Sequence, residues 1–261
     1  MLPIIMGIVN VTPNSFSDGG DYNTKSDAIE HSLKLIDDGA EIIDIGGEST
    51  RPGSDPVAVD EEISRTIPVI KGIREVNKNI SISIDTTKYE VAKRALDLGA
   101  EVINDVSALD EEPRFVNLAN EYSADLALMH KKGTPKDMQK NPTYDNVCNE
   151  VHNYLSNKAE QAQIEGKVIV DVGIGFGKTL EHNLTLLNNL DLFNSITGHQ
   201  LLGISRKSFI KMMFGIENAK DRDVHTAMIH SQLLNKNVEI LRVHNVKLIK
   251  QMLELHTTFN S

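Results

Sequence analysis

Short apolar, β-branched runs recur along this chain, separated by longer amphipathic stretches, and that alternation constrains its fold more than any other feature. Eight such runs can be counted, at residues 4–9, 41–46, 81–85, 101–106, 125–129, 167–171, 200–205 and 239–243. Apolar runs this short, bounded by turn signals, suit strands buried on both faces in a parallel sheet. Between them, apolar residues fall at helical spacing over 26–38, 60–77, 88–98, 144–165, 182–190 and 223–236, several of these stretches closed by glycine. Gly39-Ala40-Glu41 and Gly99-Ala100-Glu101 repeat one helix-to-strand hand-over. Eight β/α units in 261 residues favour a closed (β/α)8 TIM barrel over an open doubly wound sheet. No linker or low-complexity segment divides the chain, so a single α/β domain over residues 1–261 is expected.

Charge and composition narrow the partners. A formal net charge of -10 argues against a general nucleic-acid binder, because phosphate backbones are held mainly by Lys and Arg. Any anionic ligand must therefore meet a local cationic cluster. A lone cysteine, Cys148, rules out an internal disulfide and suits a reducing compartment. No apolar run reaches the roughly 18 residues of a spanning helix, and no basic, apolar leader precedes the first strand. A cytoplasmic protein without membrane contact is expected.

In a barrel of this kind the active site forms at the C-terminal ends of the strands. Reading those ends in order gives Asn10, Asp85, Asn104, His130, Asp171, Ser205-Arg206-Lys207, Arg242 and His244. Asp85, Asn104, Asp171 and Lys207 form one chemical grouping, in which carboxylates accept, the ammonium donates and the amide does both. This set suits the edge of a flat heterocycle such as a pterin or purine. Carboxylates and a lysine that merely satisfy one another would give the same spacing. A second grouping, Arg51, Arg242 and His244 with Asn10 beside them once the barrel closes, offers positive charge for a phosphate or diphosphate. Surface arginines in ordinary salt bridges are the plainer alternative. The segments 10–20 and 46–54, rich in Gly, Pro, Ser and Thr, follow strands one and two and suit either lids or plain connections. Gly173-Ile-Gly-Phe-Gly-Lys-Thr179 has one residue too few between its glycines for a nucleotide-binding loop. The histidines, expected mostly at the surface, show no zinc spacing, so a metal would be held weakly and largely through substrate phosphates, as magnesium is.

Taken together, the motifs resemble those of the dihydropteroate synthase family. The likeness runs through Met6-Gly-Ile-Val-Asn-Val-Thr-Pro-Asn-Ser-Phe-Ser-Asp-Gly-Gly20 and Gly46-Gly-Glu-Ser-Thr-Arg-Pro-Gly53. It continues in the family's order through Ser83-Ile-Asp-Thr86, Ile103-Asn-Asp105, Leu128-Met-His130, Asp171-Val-Gly-Ile-Gly-Phe-Gly-Lys178, Ser205-Arg-Lys-Ser208 and Arg242-Val-His244. The resemblance implies an enzyme that condenses 6-hydroxymethyl-7,8-dihydropterin diphosphate with p-aminobenzoate to give dihydropteroate and diphosphate. It implies that Asp85, Asn104, Met129, Asp171 and Lys207 hold the pterin, and that Asn10, Thr50, Arg51, Arg242 and His244 serve the diphosphate. Asn10 would also ligate Mg2+. Phe16, Pro52, Phe176, Lys207 and Ser208 would form the p-aminobenzoate pocket, where sulfonamides compete. Asp18, Lys207, Arg242 and His244 are the expected catalytic groups, with Asp18 facing a pterin carbocation on a dissociative path. A homodimer through outer helices is implied as well.

Some positions depart from the family's usual pattern: Asn14 and Asn245 stand where Asp is common, Val172 where Pro is usual, and Lys131-Lys-Gly-Thr-Pro135 is atypical and gets no role. The chain starts directly at strand one, which leads us to expect either a longer, fused folate-pathway polypeptide or a barrel floor covered otherwise. Three rivals are weighed: a methyltransferase domain that binds methyltetrahydrofolate, a non-catalytic pterin-binding paralogue, and an aldolase using Lys207 as a Schiff base. The first would not need Thr50-Arg51-Pro52 or the 205–208 signature, and both are present.

Overall fold

The computed structural model of the chain describes residues 2–12, 24–49 and 53–260. Its eight parallel strands are β1 Ile4–Asn10, β2 Ile42–Gly46, β3 Ser81–Asp85, β4 Val102–Asp105, β5 Asp125–Met129, β6 Val168–Asp171, β7 Leu201–Leu202 and β8 Ile240–Val243. They run in the order β6-β5-β4-β3-β2-β1-β8-β7. A parallel bridge between Val170 and Gln200 joins the two ends, so the sheet closes into the expected barrel. Helices alternate with the strands: α1 Thr24–Asp37, α2 Val59–Val76, α3 Tyr89–Asp97, α4 Phe115–Tyr122, α5 Val147–Gln161, α6 Leu180–Asn188, α7 Asn194–Thr197, α8 Ser208–Phe214, α9 Asp223–Gln232 and α10 Val246–Asn260.

The repeated hand-over has a definite geometry. Gly39 N donates to Ile36 O and Ala40 N to Leu35 O, both at 2.9 Å. Gly99 N and Ala100 N repeat this toward Leu96 O and Ala95 O, so each helix ends in a Schellman turn whose glycine takes positive φ. The next residue, Glu41 or Glu101, then donates to the preceding strand and starts a new one. Ser123-Ala124-Asp125 does the same after α4 without a glycine, Ser123 standing at φ 52.

Two apolar layers follow from strand alternation. Outward residues such as Ile43, Ile45, Ile82 and Ile84 are wholly buried between sheet and helices, each contributing about 1.5–3 kcal/mol. Inward residues Met6, Ile42, Ala127, Ile169, Leu201 and Ile240 form a separate cluster that plugs the barrel. Departures from the expected boundaries have local causes. β7 is shorter than 200–205 because the chain leaves the sheet after Leu202 for a turn centred on Ser205-Arg206, Lys207 N donating to Ile204 O and Arg206 adopting φ 61. α5 starts only at Val147 because the Asn146 side chain caps it, accepting from Asn149 N at 3.0 Å.

Candidate active site

One step of alternation above the plug places the polar residues. Ile42, Ala127, Ile169 and Ile240 point inward, so Asp44, Met129, Asp171 and Arg242, two residues further on, point inward as well, at the C-terminal mouth. Strand register sets them side by side. Asn10 pairs with Gly46, Gly46 with Asp85 and Asp85 with Asn104, while Met129 pairs with Asp171. The predicted pterin residues thus meet around one mouth, above an apolar plug.

Arg242 is the hub of their electrostatics. Its Nε donates to Asp44 Oδ2 at 2.6 Å and its Nη2 to Asp85 Oδ2 at 2.7 Å. Asn104 Nδ2 also donates to Asp44, at 3.3 Å. Arg242, assigned from sequence to the diphosphate grouping, therefore lies against the pterin grouping, at the boundary of the two. Burial pushes the Asp85 carboxyl up to about 7, against the pull of Arg242. Burial also raises Asp171, which Lys207 opposes, and Asp171 Oδ1 accepts from Gly173 N at 2.8 Å. Lys207 Nζ donates to Ile174 O at 2.5 Å and sits 4.7 Å from the centre of the Phe176 ring. Burial brings its pKa down to about 8. The site therefore holds one carboxyl, Asp85, and a lysine, Lys207, whose protonation states sit near neutrality, the condition in which small changes of environment move protons.

Beside this cluster, His244 pairs through Nδ1 with Ser205 Oγ at 2.9 Å, and its backbone N–H donates to the same oxygen at 3.1 Å. The hydroxyl thus fixes the ring at the mouth. Ser208 opens α8 beside Lys207 and is exposed, and Phe176 and Asn10 are half-buried. Phe16, Asp18, Thr50, Arg51 and Pro52 lie outside the described residues, as does Asn14. Val172 packs in the core. Asn245 uses both ends of its amide, accepting from Leu248 N at 3.1 Å and donating to Asp223 at 3.2 Å. An aspartate could not make the second bond.

Two residues central to this geometry are absent from the sequence-derived set. Asp44 is fully buried and pairs Arg242, and its signal was a carboxylate inside the apolar strand Ile42–Gly46. Lys178 is buried against His130, Nζ to Nδ1 2.9 Å, and gave no sequence signal beyond the glycine motif. The histidines are less exposed than expected: His130 and His230 are buried, six are half-buried and His256 is exposed. Among the described residues no group of three or more His, Cys, Asp and Glu could hold a metal. A half-buried amide such as Asn10 fits a hard cation that keeps most of its waters and rides on phosphate oxygens, as magnesium does.

The "Pterin binding enzyme" family model matches residues 6–244. Dihydropteroate synthase of Streptococcus pyogenes serotype M6 is 44% identical over 248 residues, 93% of this chain and 90% of that protein. The synthase of Synechocystis sp. is 40% identical over 252 residues, 95% of this chain and 87% of that protein. Among solved structures, the Xanthomonas albilineans dihydropteroate synthase with 4-aminobenzoic acid superposes with a TM-score of 0.92 at 38% identity, covering 100% of this chain and 94% of that one. The Yersinia pestis synthase in complex with a sulfonamide drug gives a TM-score of 0.91 at 34% identity, covering 100% and 95%. With the family model spanning strand one to strand eight and relatives this similar along nearly the whole chain, this chain belongs to the dihydropteroate synthase family of pterin-binding enzymes.

Proposed function

We infer that the chain is a transferase that joins 6-hydroxymethyl-7,8-dihydropterin diphosphate to p-aminobenzoate, forming 7,8-dihydropteroate and diphosphate. The observation that carries this reading is the convergence of Asp85, Asn104, Asp171 and Lys207 on one mouth, in a chain matching dihydropteroate synthases along nearly its whole length. The carboxylates accept from the N–H edge of the pterin, Lys207 donates to its acceptors, and buried Met129 offers an apolar face for the ring. Such a set is dry enough to make each polar contact count.

The reaction forms a bond from the amine nitrogen to the pterin's exocyclic CH2 and breaks the bond from that carbon to the diphosphate oxygen. The electron pair leaves with diphosphate and the amine loses a proton. Arg51, Arg242 and His244 stabilise the charge that builds on the leaving group, with Thr50 in the same binding set. Asn10 would hold Mg2+ together with the diphosphate oxygens, and the cation would neutralise part of that charge. Asp18 faces the carbocation of a dissociative path. Phe16, Pro52, Phe176, Lys207 and Ser208 wall the amine substrate, and sulfonamides compete with it there.

Two further parts of the reading concern the whole molecule. A homodimer is proposed through α8 and α9, where the Phe214 and His225 rings lie 4.6 Å apart, tilted by 43°. Met212, Met213, Phe214, Val224 and Met228 stand exposed there as an apolar face. A reducing, cytoplasmic setting fits the buried free thiol of Cys148. Calorimetric titration with the pterin diphosphate tests the site. Tight binding by the wild type, with a loss of about a hundredfold in Asp171→Ala from an unpaired substrate edge, is expected. Equal binding by both would overturn the assignment.

A further inference from the structure

The loop after β6 is held from two sides, and only one of them is the site already described. Gly173, Gly175 and Gly177 all take positive φ, at 67°, 85° and 65°. A Cβ at Gly173 would fall 1.8 Å from His130 O, and one at Gly177 would fall 2.1 Å from Lys132 O. The loop therefore lies in direct backbone contact with the segment that follows β5, and only glycine permits that approach. On the mouth side, Lys207 grips the loop through Ile174 O and the Phe176 ring.

Beneath it sits Lys178, one of the largest fully buried side chains, at 2% exposure. Its Nζ meets His130 Nδ1 at 2.9 Å and donates to Phe176 O at 3.0 Å and His130 O at 3.4 Å. Three acceptors match the three protons of an ammonium, yet none is a carboxylate, an expensive arrangement for a buried lysine. Burial accordingly pulls its pKa well below the usual lysine range. The expense is concentrated at one turn: the carbonyl it holds belongs to Phe176, whose ring Lys207 touches from the other side. Tyr144 adds a tether, its hydroxyl donating to Gly177 O at 2.8 Å. The same post-β5 segment reaches the second loop, where Gly53 N donates to Pro135 O at 2.8 Å. That contact gives the Lys131-Lys-Gly-Thr-Pro135 stretch a structural connection it lacked in sequence.

We propose that Lys178 is a positioning residue for the second substrate: by tying the Phe176 turn to His130 it holds the wall against which p-aminobenzoate binds. It touches no substrate and acts through Phe176. The inference rests on the synthase reading, and the test separates the two.

Steady-state kinetics at saturating pterin diphosphate with varied p-aminobenzoate, on wild type, Lys178→Met and Tyr144→Phe, is read beside calorimetric binding of the pterin diphosphate. In Lys178→Met the KM for p-aminobenzoate should rise about tenfold, within what misplacing a substrate wall by under 1 Å costs. Pterin affinity should stay within about threefold, since Asp85, Asn104 and Asp171 are untouched. Tyr144→Phe, which removes only a hydroxyl, should raise the same KM by about threefold, and it decides the question if Lys178→Met does not fold. A KM within twofold of wild type, or pterin affinity falling as far as KM rises, would overturn the proposal. Wild type that forms no dihydropteroate overturns the synthase reading, and the inference with it.

Discussion

Replacing Asp44 by Asn probes the hub that the strand geometry builds inside the barrel. Asp44 is fully buried and accepts from Arg242 Nε at 2.6 Å and from Asn104 Nδ2 at 3.3 Å. Asp44→Asn keeps the volume but turns one side of the ion pair neutral. Breaking one partner of a buried ion pair costs about 3–5 kcal/mol. Arg242 retains Asp85, and its side chain is 20% exposed to water, which places the expected loss at the lower end, about 3 kcal/mol. At about 2–4 °C per kcal/mol for a domain of this size, the thermal midpoint should fall by about 6–12 °C. Circular dichroism melts of Asp44→Asn, Arg242→Met and the double variant complete the cycle, and the pair should couple by about 1.5 kcal/mol or more. A midpoint lowered by less than about 2 °C, with a cycle that closes within about 0.5 kcal/mol, would refute the hub.

The pH profile of kcat/KM for the pterin diphosphate should be bell-shaped, rising through about 7 as Asp85 ionises and falling above about 8 as Lys207 loses its proton. A profile flat from 6 to 9 would remove both groups from binding. The signs for stability differ by group. The raised pKa of Asp85 favours the fold most below its ordinary value of 3.8, and this is lost as pH rises through about 7. The depressed pKa of Lys207 favours the fold above 10.5, and this is lost as pH falls through about 8. Gly203 borders the site, and a Cβ there would lie 3.8 Å from both Asp171 Oδ2 and Lys207 Nζ. Gly203→Val should therefore fold with a near-normal melt yet weaken pterin binding by at least about tenfold in calorimetry, because the branched side chain fills the slot. Phe214→Glu should shift the mass seen by light scattering from dimer to monomer, and an unchanged dimer would move the interface elsewhere.

Legibility in sequence followed the physics of each element. Strands announced themselves as short apolar runs because both their faces are buried, and Asp85, Asn104, Asp171 and Lys207 stood out as polar residues where such runs end. Asp44 escapes a sequence reading because it is interior to β2 rather than at its end, and its partners, Asn104 on β4 and Arg242 on β8, 198 residues away in the chain, meet it only once the barrel forms. Lys178 escaped because its acceptors are two carbonyls and a histidine ring, and no residue pattern encodes a carbonyl's direction. The expected β7 runs too far since Gly203-Ile204 is apolar enough to read as strand but leads into the turn at Ser205-Arg206. Among the helices, Phe115–Tyr122, Asn194–Thr197, Ser208–Phe214 and Val246–Asn260 fall outside the stretches read from sequence, the first three being too short for a full periodic signature. The loop chemistry expected of Phe16, Asp18, Thr50, Arg51 and Pro52 rests on motif resemblance alone.

The most direct test follows both products at once: purified protein, magnesium and 6-hydroxymethyl-7,8-dihydropterin diphosphate, with and without p-aminobenzoate, assayed for diphosphate and, by chromatography, for 7,8-dihydropteroate. The account predicts one diphosphate for each dihydropteroate, dependence on p-aminobenzoate, and inhibition by a sulfonamide. Pterin bound without release of either product would contradict it and leave a binding protein in its place.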